Sequence, residues 1–508
     1  MDWAEFAQQL FTTIYTTTLV LVSLYGLHRY VLVFLYYRHR HNCPRPAGRY
    51  EELPLVTIQL PMYNERNVAR RIIERTCAID YPREKLQIQV LDDSTDETRS
   101  IALSTVEKCR EKGFDIEYIY RTDRTGYKAG ALCNGLKTAK GEFVTIFDAD
   151  FLPEPDFLKR SIQYFTDPKV CVVQTRWDHL NREKSVLTRS QAIFLDGHFA
   201  IEHVARNRSQ RFMAFNGTAG TWRREAIEDA GGWRHDTLTE DLDLSYRAQL
   251  KGWRFVFLPD LTSPAELPPD MSAFKAQQFR WTKGGAQTSL KVLPKVLLSR
   301  FPLKVKVEAF FQLTAFSMHF AMLVMVLLMF PAMYLRTLPW ASGSVARSVF
   351  EMMVFTLATL STSVFYVASQ YELTKDWRSV LKYLPMMMAL GVGLCVSNTK
   401  AILEAWLGRS SEFVRTPKYG DGNRPIEKAV GQKRKGNWLP YVEFLFGVYM
   451  TVCAVASVIK GGAPTTATPF LVLFSFGFFY VSVLSFQEQH ADRKAFGEKG
   501  EEESVPVK

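Results

Sequence analysis

The stretch "TIFDADFLPEPDF" at residues 145–157 ends an apolar, strand-like run with two carboxylates, Asp148 and Asp150. A turn would account for them, because aspartate is common where strands end and because Pro153 and Pro155 follow closely. A divalent cation would also account for them, since two carboxylates at this spacing can hold Mg²⁺ or Mn²⁺ while a substrate diphosphate completes the coordination shell. The stretch alone leaves both explanations open.

The sequence around this stretch alternates between strand patterns and helical patterns. Four short runs rich in β-branched or aromatic residues predict strands, at residues 55–61, 86–94, 116–121 and 142–150. Two segments between them, "NVARRIIERTCAI" and "DETRSIALSTVEKCREKG", carry apolar residues at three- and four-residue spacing and predict helices. This alternation indicates an α/β domain with a mostly parallel, doubly wound sheet, in which ligands gather at the carboxyl ends of the strands. The "LDDS" and "FDAD" segments lie at two such ends.

Length and charge narrow the class of protein. The chain has 508 residues, enough for two or three domains, and a formal net charge of +11. Such a charge suits a nucleic acid, a membrane surface or an anionic substrate, but zinc-finger spacing and nucleic-acid recognition modules are absent from the sequence, so no nucleic-acid partner is expected. The seven cysteines are scattered without a CxxC pair, which indicates reduced thiols facing a cytosol.

Apolar segments frame the charged middle of the chain. Residues 11–37 are long enough to span a bilayer, and no small-residue cleavage site follows, which predicts an uncleaved anchor. His28 and Arg29 interrupt this run and are expected to face protein or water. The basic stretch "RHRHNCPRPAGR" places this end of the anchor in the cytoplasm. We therefore expect an anchor with a basic juxtamembrane segment at 1–50 and a cytoplasmic domain at 51–270.

The last third of the chain carries further apolar runs, near residues 309–335, 348–370, 382–405, 439–459 and 467–485. If the first three all crossed the membrane, the basic loop 406–437 would lie outside, against the positive-inside rule. The run 382–405 contains several polar residues and is therefore expected to be an interfacial or re-entrant segment. This predicts about five spans in all, a transmembrane region at 306–486 and a polar C-terminal tail at 487–508.

Two more polar constellations lie in the predicted α/β domain. Asp92 and Asp93 follow the second strand, although "DDSTDET" also suits the start of a helix and leaves a capping role open. The stretch "RTGYKAGAL" combines glycines, which allow close backbone approach, with Arg124 and Lys128, which can meet anionic oxygens. That stretch is not a Walker loop, and alone it indicates little.

Two motifs follow downstream. "TLTEDLDLSYRAQLKGW" begins as a loop and continues as an amphipathic helix with Glu240 and Asp241 in its first turn, where the helix dipole alone also favours acids. "FKAQQFRWTKGG" combines Gln277, Arg280 and Trp281, and a tryptophan beside an arginine can also be a membrane-interface anchor. Each motif has an ordinary structural explanation, but their order along one chain is hard to obtain by chance.

This order of Asp-Asp, Asp-x-Asp, Thr-Glu-Asp and Gln-x-x-Arg-Trp resembles the family 2 glycosyltransferases with a GT-A fold, especially the membrane-embedded, cellulose synthase-like group. The resemblance runs from residue 55 to 420. Further stretches look closest to the plant cellulose synthase-like A (β-mannan synthase) type and bacterial relatives: "QVLDDSTDET", "GYKAGAL", "FDADFLPEPDFL", "FNGTAGTWRREAI", "LTEDLDLSYRAQLKGW" and "QQFRW". The resemblance implies a Rossmann-like GT-A domain in the cytoplasm, inserted between transmembrane helices and followed by amphipathic interface helices at 271–305.

The resemblance also implies roles for single residues. Asp148 and Asp150 match the metal site, for Mg²⁺ or Mn²⁺, and Asp241 beside Glu240 matches the general base. The nucleotide-binding set is Asp92, Asp93, Lys128, Arg124, Gln277 and Arg280. The acceptor-binding set is Trp281, Phe215, Asn216, Gly217 and Thr218.

The stretch "FVRTPKYG" at 413–420 looks like the gating loop of this family, with contacts expected at Phe413, Thr416 and Lys418. It departs from the cellulose synthase form by placing Arg415-Thr416-Pro417 where a Val-Thr pair is usual. A gating loop must be cytoplasmic, which independently favours a non-crossing segment at 382–405.

The function implied is an inverting, metal-dependent and processive transfer of a hexose from GDP-mannose or UDP-glucose to a growing β-linked polysaccharide, with coupled export. The alternative is transfer of a single sugar to a membrane lipid, as in ceramide glucosyltransferases. The implied partners are a nucleotide diphosphate sugar, a glycan or lipid acceptor, and the bilayer of a plasma (inner) or Golgi-type membrane. A transporter without enzymatic activity would leave the acids at the strand ends unexplained.

His198 and His203 lie in a helical segment together with Asp196 and Glu202, which is a composition that metal sites share. A spacing of five residues splays two side chains apart on an α-helix, where neighbours are three or four residues apart. We therefore expect packing or solvent contact for both histidines rather than a metal site.

Overall fold

The structure is a computed structural model that describes residues 3–335, 345–409, 411, 415–420, 438–461 and 468–502. Phe413 and most of the loop 406–437 lie outside the described residues, so the predictions made for these residues stay predictions. The described part contains a sheet-based domain and a set of long apolar helices.

Seven strands form one sheet. They are β1 Val56–Met62, β2 Leu86–Asp92, β3 Asp115–Tyr120, β4 Phe143–Ile146, β5 Val170–His179, β6 Gly220–Arg223 and β7 Arg254–Ala265. The order across the sheet is β3-β2-β1-β4-β6-β5-β7, and only β6 runs antiparallel to its neighbours. The predicted α/β class with a mostly parallel sheet is therefore confirmed, and the four predicted strands correspond to β1–β4.

The register of the parallel strands determines where the acids emerge. β1 pairs with β2 on one side, with Met62 opposite Asp92, and with β4 on the other, with Gln59 opposite Ile146. All three strands are buried along almost their whole length, as expected for parallel strands covered on both faces. Because parallel strands end at the same edge of a sheet, the segments after β2 and β4 lie side by side there.

The described residues contain a set of α-helices that surround the sheet and continue beyond it. They are α1 Trp3–His39, α2 Ala69–Cys77, α3 Thr98–Glu111, α4 Tyr127–Leu136, α5 Phe157–Ser161, α6 Val186–Asp196, α7 Val204–Arg208, α8 Arg224–Asp229, α9 Glu240–Leu250, α10 Met271–Leu298, α11 Leu303–Thr314, α12 Met318–Leu335, α13 Val345–Thr374, α14 Trp377–Leu381, α15 Leu384–Gly393, α16 Cys395–Trp406, α17 Leu439–Gly461 and α18 Thr468–Glu502. Short 3₁₀ turns are Arg83–Lys85, Ile162–Thr166 and Ala315–Ser317.

A π-helical stretch, Gly197–His203, joins α6 to α7. In a π-helix the backbone hydrogen bonds connect residues five apart, so side chains with that spacing lie on the same side. The rings of His198 and His203 accordingly lie with their centroids 4.3 Å apart. The expectation that their spacing splays them apart is therefore wrong, because it assumed an α-helical repeat.

Four helical stretches among the described residues are long and apolar enough to cross a membrane: Glu5–His39, Leu303–Ala332, Leu439–Ile459 and Thr468–Ala491. Each overlaps an apolar run that the sequence predicted as a span. Helices α15 and α16 pass the same test together but are bent by 42° at their junction, a geometry that suits either a broken span or a re-entrant segment. The predicted span at 348–370 falls on α13, whose first side chains lie outside the described set.

Helix α10 connects the sheet domain to the apolar helices. Its first backbone N–H groups, at Met271 and Ser272, donate to the carboxylate of Glu488 at 2.7 and 2.8 Å. Along its length, Lys275 pairs with Glu443 of α17 at 2.6 Å, and Lys283 pairs with Glu404 of α16 at 2.8 Å. Buried ion pairs of this kind demand accurate geometry, because either charge left alone in the interior would be costly.

The segment predicted as interface helices, 271–305, is thus one long helix and the first turn of α11. The sheet runs from Val56 to Ala265, inside the predicted domain at 51–270. The exact boundaries of the predicted domains stay predictions.

Candidate active site

A cavity of about 190 Å³ opens at the sheet edge where β1, β2 and β4 end. Side chains from α4, α9, α10 and the segment 415–418 complete its wall. The predicted residues that line it are Asp93, Arg124, Lys128, Asp148, Asp150, Asn216, Gly217, Glu240, Asp241, Gln277, Arg280, Trp281, Thr416 and Lys418. Residues from seven separate motifs therefore meet in one cavity, while three described residues of the predicted set, Asp92, Phe215 and Thr218, are not part of its lining.

Each acid of the Asp-x-Asp motif is paired with a lysine. Lys128 of α4 forms a salt bridge with Asp148 and donates to the carbonyl oxygen of Gly217 at 3.0 Å. Lys418 Nζ lies 2.6 Å from Asp150 Oδ2. Burial would lower the pKa of Lys128, but Asp148 and the nearby acids raise it above its ordinary value, so this lysine stays cationic. The two lysines therefore offset the repulsion that the paired acids would otherwise feel.

Asp148 and Asp150 offer carboxylate oxygens, the ligand type that Mg²⁺ and Mn²⁺ prefer. Within the described ranges, no group of three or more His, Cys, Asp or Glu side chains is arranged to hold a metal ion. A cation at this pair would therefore take its remaining ligands from water and from the phosphate oxygens of a substrate, which is how Mg²⁺ is commonly bound at nucleotide sites. The residues fit a cation shared with a diphosphate.

The two acids after β2 have different surroundings. Asp92 is fully buried, where its carboxylate accepts hydrogen bonds from the backbone N–H of Ser94 at 2.8 Å and the hydroxyl of Tyr118 at 2.7 Å. Asp93 lines the cavity and is held by Arg121, whose Nε donates to it at 2.8 Å. Asp92 therefore shapes the turn after β2, and in this structure only Asp93 is in a position to contact a nucleotide directly.

Arg124 lies flat against an aromatic side chain that the sequence analysis did not single out. Its guanidinium carbon is 3.2 Å from the ring centroid of Tyr63 and 5.0 Å from that of Tyr127. Stacking of this kind holds a guanidinium in one plane while its N–H groups remain able to bind anionic oxygens. Tyr63 follows directly after β1, so the rule that ligands gather at strand ends would have indicated it.

Glu240 and Asp241 occupy the first turn of α9 and face the cavity. Burial raises the pKa of Asp241, and the neighbouring charge of Glu240 raises it further, to about 7. Burial also raises the pKa of Glu240, although Lys128 counteracts this shift. A carboxyl group that titrates near neutral pH has the proton affinity that a general base requires.

The segment Phe215–Thr218 packs against this pair of acids. Gly217 has a φ of +81°, and a Cβ at this position would lie 2.9 Å from Asp241 Oδ2, so only glycine fits there. Asn216 lines the cavity beside it. Phe215 is 1% exposed and packs on Trp222, and the hydroxyl of Thr218 accepts the backbone N–H of Asp148 at 2.8 Å. For Phe215 and Thr218 the prediction of direct acceptor contact thus disagrees with the structure, because their side chains build the wall.

Helix α10 contributes Gln277, Arg280 and Trp281 to the lining of the cavity. It lies close to the start of α9, where a Cβ at Gly284 would be 2.6 Å from the side chain of Thr239. Burial lowers the pKa of Arg280 and the neighbouring acids raise it, but the guanidinium remains cationic, as arginine does in proteins. Lys128 and Arg280 therefore both place positive charge near the same acids.

The described residues 415–420 of the predicted gating loop reach the cavity, where Arg415, Thr416 and Lys418 belong to the lining. Arg415 binds both carboxylate oxygens of Glu65, at 2.9 and 2.7 Å. The backbone N–H of Tyr419 donates to Glu266 at 3.0 Å. Thr416 is 4% exposed and lines the cavity. Arg415 departs from the family pattern, and the sequence alone does not indicate Glu65 as its partner.

The fold, with the acids and cations gathered in this cavity, is the one expected of a glycosyltransferase of the GT-A type, and comparison with known proteins agrees. The family model described as "Glycosyltransferase like family 2" matches residues 54–284. Glucomannan 4-beta-mannosyltransferase 2 of Arabidopsis thaliana is 35% identical over 423 residues, which cover 80% of this chain and 77% of the relative. The chain therefore belongs to the family 2 glycosyltransferases, and it is an enzyme.

Further comparisons refine this placement. The probable glucomannan 4-beta-mannosyltransferase 3 of Oryza sativa subsp. japonica is 34% identical and covers 82% of this chain and 75% of the relative. These relatives confirm the predicted cellulose synthase-like type. The solved mannosyltransferase PcManGT from Pyrobaculum calidifontis, in complex with GDP-Man and Mn²⁺, matches 76% of this chain and 98% of that chain, with a TM-score of 0.51 and 20% identity. At this identity the match shows a shared fold, and it confirms the GT-A prediction.

Proposed function

We propose that this enzyme transfers mannose from GDP-mannose to a growing 4-linked β-glycan, with inversion and with a divalent cation as cofactor. The observation that carries the proposal is the cavity in which Lys128, Asp148 and Asp241 converge, because it combines a diphosphate site with a proton acceptor. The choice of mannose rests on the names of the curated relatives, which are glucomannan 4-beta-mannosyltransferases. Use of a cation is supported by the presence of Mn²⁺ and GDP-Man in the structural neighbour.

The donor would bind with its diphosphate beside the cations of the cavity lining. Asp148 and Asp150 would hold the divalent cation, which when bound offsets charge on the leaving diphosphate. Lys128 and Arg280 add fixed positive charge, so that negative charge developing on the leaving group is stabilised without rearrangement of solvent. Arg124, held over the ring of Tyr63, is a third cation in the lining.

The acceptor would enter beside Asp241. Its hydroxyl oxygen forms the new bond to the anomeric carbon as the bond to the diphosphate breaks, and Asp241 takes the hydroxyl proton. A single displacement inverts the anomeric centre, so an α-linked donor gives a β-linkage. Trp281 offers a flat apolar face on which an acceptor sugar ring can lie in one orientation.

Elongation and export would use the apolar helices next to the cavity. The buried ion pairs of α10 with α16 and α17 connect the cavity wall directly to these helices. We propose that a polymer leaves the acceptor side along these helices. We also propose a cytoplasmic catalytic domain, as the charge pattern of the sequence indicates, in a plasma (inner) or Golgi-type membrane.

The test uses the full-length protein in nanodiscs with radiolabelled GDP-mannose or UDP-glucose, each with Mg²⁺ or Mn²⁺. We expect a polymer from GDP-mannose that is lost on addition of a chelator. A product that stays a single-sugar glycolipid would overturn the polymer assignment in favour of lipid glycosylation. Incorporation of label from UDP-glucose and not from GDP-mannose would overturn the assignment of GDP-mannose as the donor.

A further inference from the structure

The side-chain amide of Asn216 is held between two histidines that the proposed mechanism does not use. His203 Nε2 lies 2.6 Å from Asn216 Oδ1, and His198 Nε2 lies 3.0 Å from Asn216 Nδ2. Both histidines belong to the π-helical stretch Gly197–His203, which places residues five apart on one side. Insertions of this kind interrupt an α-helix at a cost and are frequent at functional sites.

Hydrogen-bond chemistry fixes the direction of this amide. His198 Nδ1 lies 3.1 Å from a carboxylate oxygen of Glu202, which only accepts, so a neutral His198 carries its proton on Nδ1 and its Nε2 accepts. The group that faces this Nε2 must then be the Asn216 amide N–H, which leaves the amide oxygen facing His203. An amide oxygen only accepts, so His203 carries its proton on Nε2. A flipped amide would place its oxygen against the accepting Nε2 of His198.

The protonation state of His203 is consistent with a ring that carries its proton on Nε2. Its side chain is fully buried, and burial lowers its pKa well below the ordinary value, so the ring is neutral. Its Nδ1 has no hydrogen-bond partner among the described atoms, as expected for an unprotonated ring nitrogen packed against apolar groups. A charged ring would bury an unpaired N–H at the same place.

A chain of buried charges anchors the histidine pair in the membrane helices. Arg206 binds Glu202 at 3.0 Å on one side and Glu308 of α11 at 3.0 Å on the other, and His28 of α1 lies 3.1 Å from Glu308. Arg206 is 3% exposed. Arg206 and His198 hold the pKa of Glu202 below its ordinary value even though burial would raise it, so the glutamate accepts from both. A network in which every charge is paired resists rearrangement.

The amide has capacity left for a ligand. An asparagine side chain has two N–H donors and two acceptor lone pairs, and the histidines use one of each. Asn216 lines the cavity and directly precedes Gly217, the residue against which Asp241 packs. One N–H donor and one acceptor thus remain next to the proposed base, a pattern that complements neighbouring hydroxyls of a sugar, which both donate and accept.

We propose that His198 and His203 are positioning residues that hold the Asn216 amide in a single orientation to receive hydroxyl groups of the acceptor sugar. This inference rests on the proposed function, because it assigns Asn216 to the acceptor side of the cavity. It gives a role to two histidines that lack direct contact with the donor site, and it links the acceptor side to spans α1 and α11 through Glu308 and His28.

The test compares two substitutions at His203 in the full-length protein in nanodiscs, with GDP-mannose as donor and mannohexaose as the acceptor probe. In His203→Gln the amide N–H can donate from near the position of the imidazole Nε2, whereas His203→Leu keeps apolar volume and removes the donor. We expect His203→Leu to raise KM for mannohexaose about tenfold and His203→Gln to stay within about twofold of wild type, as loss of one oriented hydrogen bond predicts. The dissociation constant of GDP should not change in either variant.

His198 supplies a second matched pair, His198→Gln and His198→Leu, where the glutamine oxygen replaces the accepting Nε2. This second pair of variants provides the same test if His203→Leu does not fold. His490→Leu, at an exposed position of α18, controls for the chemical change itself. Equal losses in the glutamine and leucine variants, or an unchanged KM for mannohexaose in both leucine variants, would overturn the positioning role. If the wild type transfers no mannose, the proposed function fails instead, so the two failures are distinguishable.

Discussion

The pKa of Asp241 leads to a specific prediction for the pH dependence of transfer. Burial and the charge of Glu240 raise this pKa to about 7. The base acts only as a carboxylate, so below its pKa the active fraction falls by a factor of ten per pH unit. At pH 6 about one molecule in ten would carry the ionised group, and above pH 8 nearly all would. We therefore expect kcat/KM for GDP-mannose to rise about tenfold from pH 6 to a plateau above pH 8.

Glu240→Gln tests the cause of this shift. Removing the neighbouring negative charge leaves burial in place and lowers the pKa of Asp241, so the acidic limb of the profile should move to lower pH. Glu225→Gln, at an exposed position of α8, makes the same chemical change away from the cavity and should leave the profile unchanged. The measurement is initial rate of label incorporation over the pH series. An acidic limb below about pH 5 in the wild type, or a limb that Glu240→Gln does not move, would refute the reasoning.

Three further substitutions have distinct expected outcomes. Lys128→Met should weaken GDP binding about ten- to a hundredfold by calorimetry, since a buried charged hydrogen bond to the donor site is lost, and unchanged affinity would contradict its diphosphate role. Gly217→Ala should lower kcat at least about tenfold with GDP affinity retained, because residue 217 has a left-handed backbone conformation and its Cβ would collide with Asp241. Normal turnover by this variant would show that the cavity wall can move to accept the methyl group. Arg415→Val removes both hydrogen bonds to Glu65 and should raise KM for GDP-mannose about fivefold, whereas an unchanged KM would exclude the pair from holding the loop over the donor.

Much of the fold and the site followed from local sequence patterns. Strands β1 to β4 are short, strongly β-forming runs between helical patterns, and the strand-end rule predicted that Asp93, Asp148 and Asp150 lie at one edge of the sheet. The order of motifs then indicated Lys128, Asp241 and three residues of α10, and the structure brings all of them to the same cavity. Their functional roles stay predictions.

Other features depend on contacts between distant segments and could not be predicted. Arg415 and Glu65 are 350 residues apart in sequence, and nothing local to either indicates the pair. The four-residue strand β6 is too short to show a periodic pattern. The π-helical closure that brings His198 to His203 is set by packing against Asn216 and the membrane helices, whereas the sequence pattern alone suggested an α-helical repeat.

Phe215 shows a different limit of prediction from the sequence. The motif "FNGTAG" contributes residues to the cavity, but motif matching does not tell which of its side chains face a ligand. Burial against Trp222 places Phe215 in the core, and the backbone turn leaves Asn216 and Gly217 facing the cavity. The division of a motif into wall and lining therefore needs the three-dimensional structure.

The central claim is that this cavity transfers mannose into a 4-linked β-glycan with Asp241 as the base. The most direct measurement is digestion, with an endo-β-1,4-mannanase, of the labelled product made by the purified full-length protein from GDP-mannose and Mn²⁺. We expect a polymer that the mannanase degrades to short oligosaccharides. We expect no polymer from Asp241→Asn, although that variant should still bind GDP. A product resistant to the mannanase, or polymer made at the normal rate by Asp241→Asn, would contradict it.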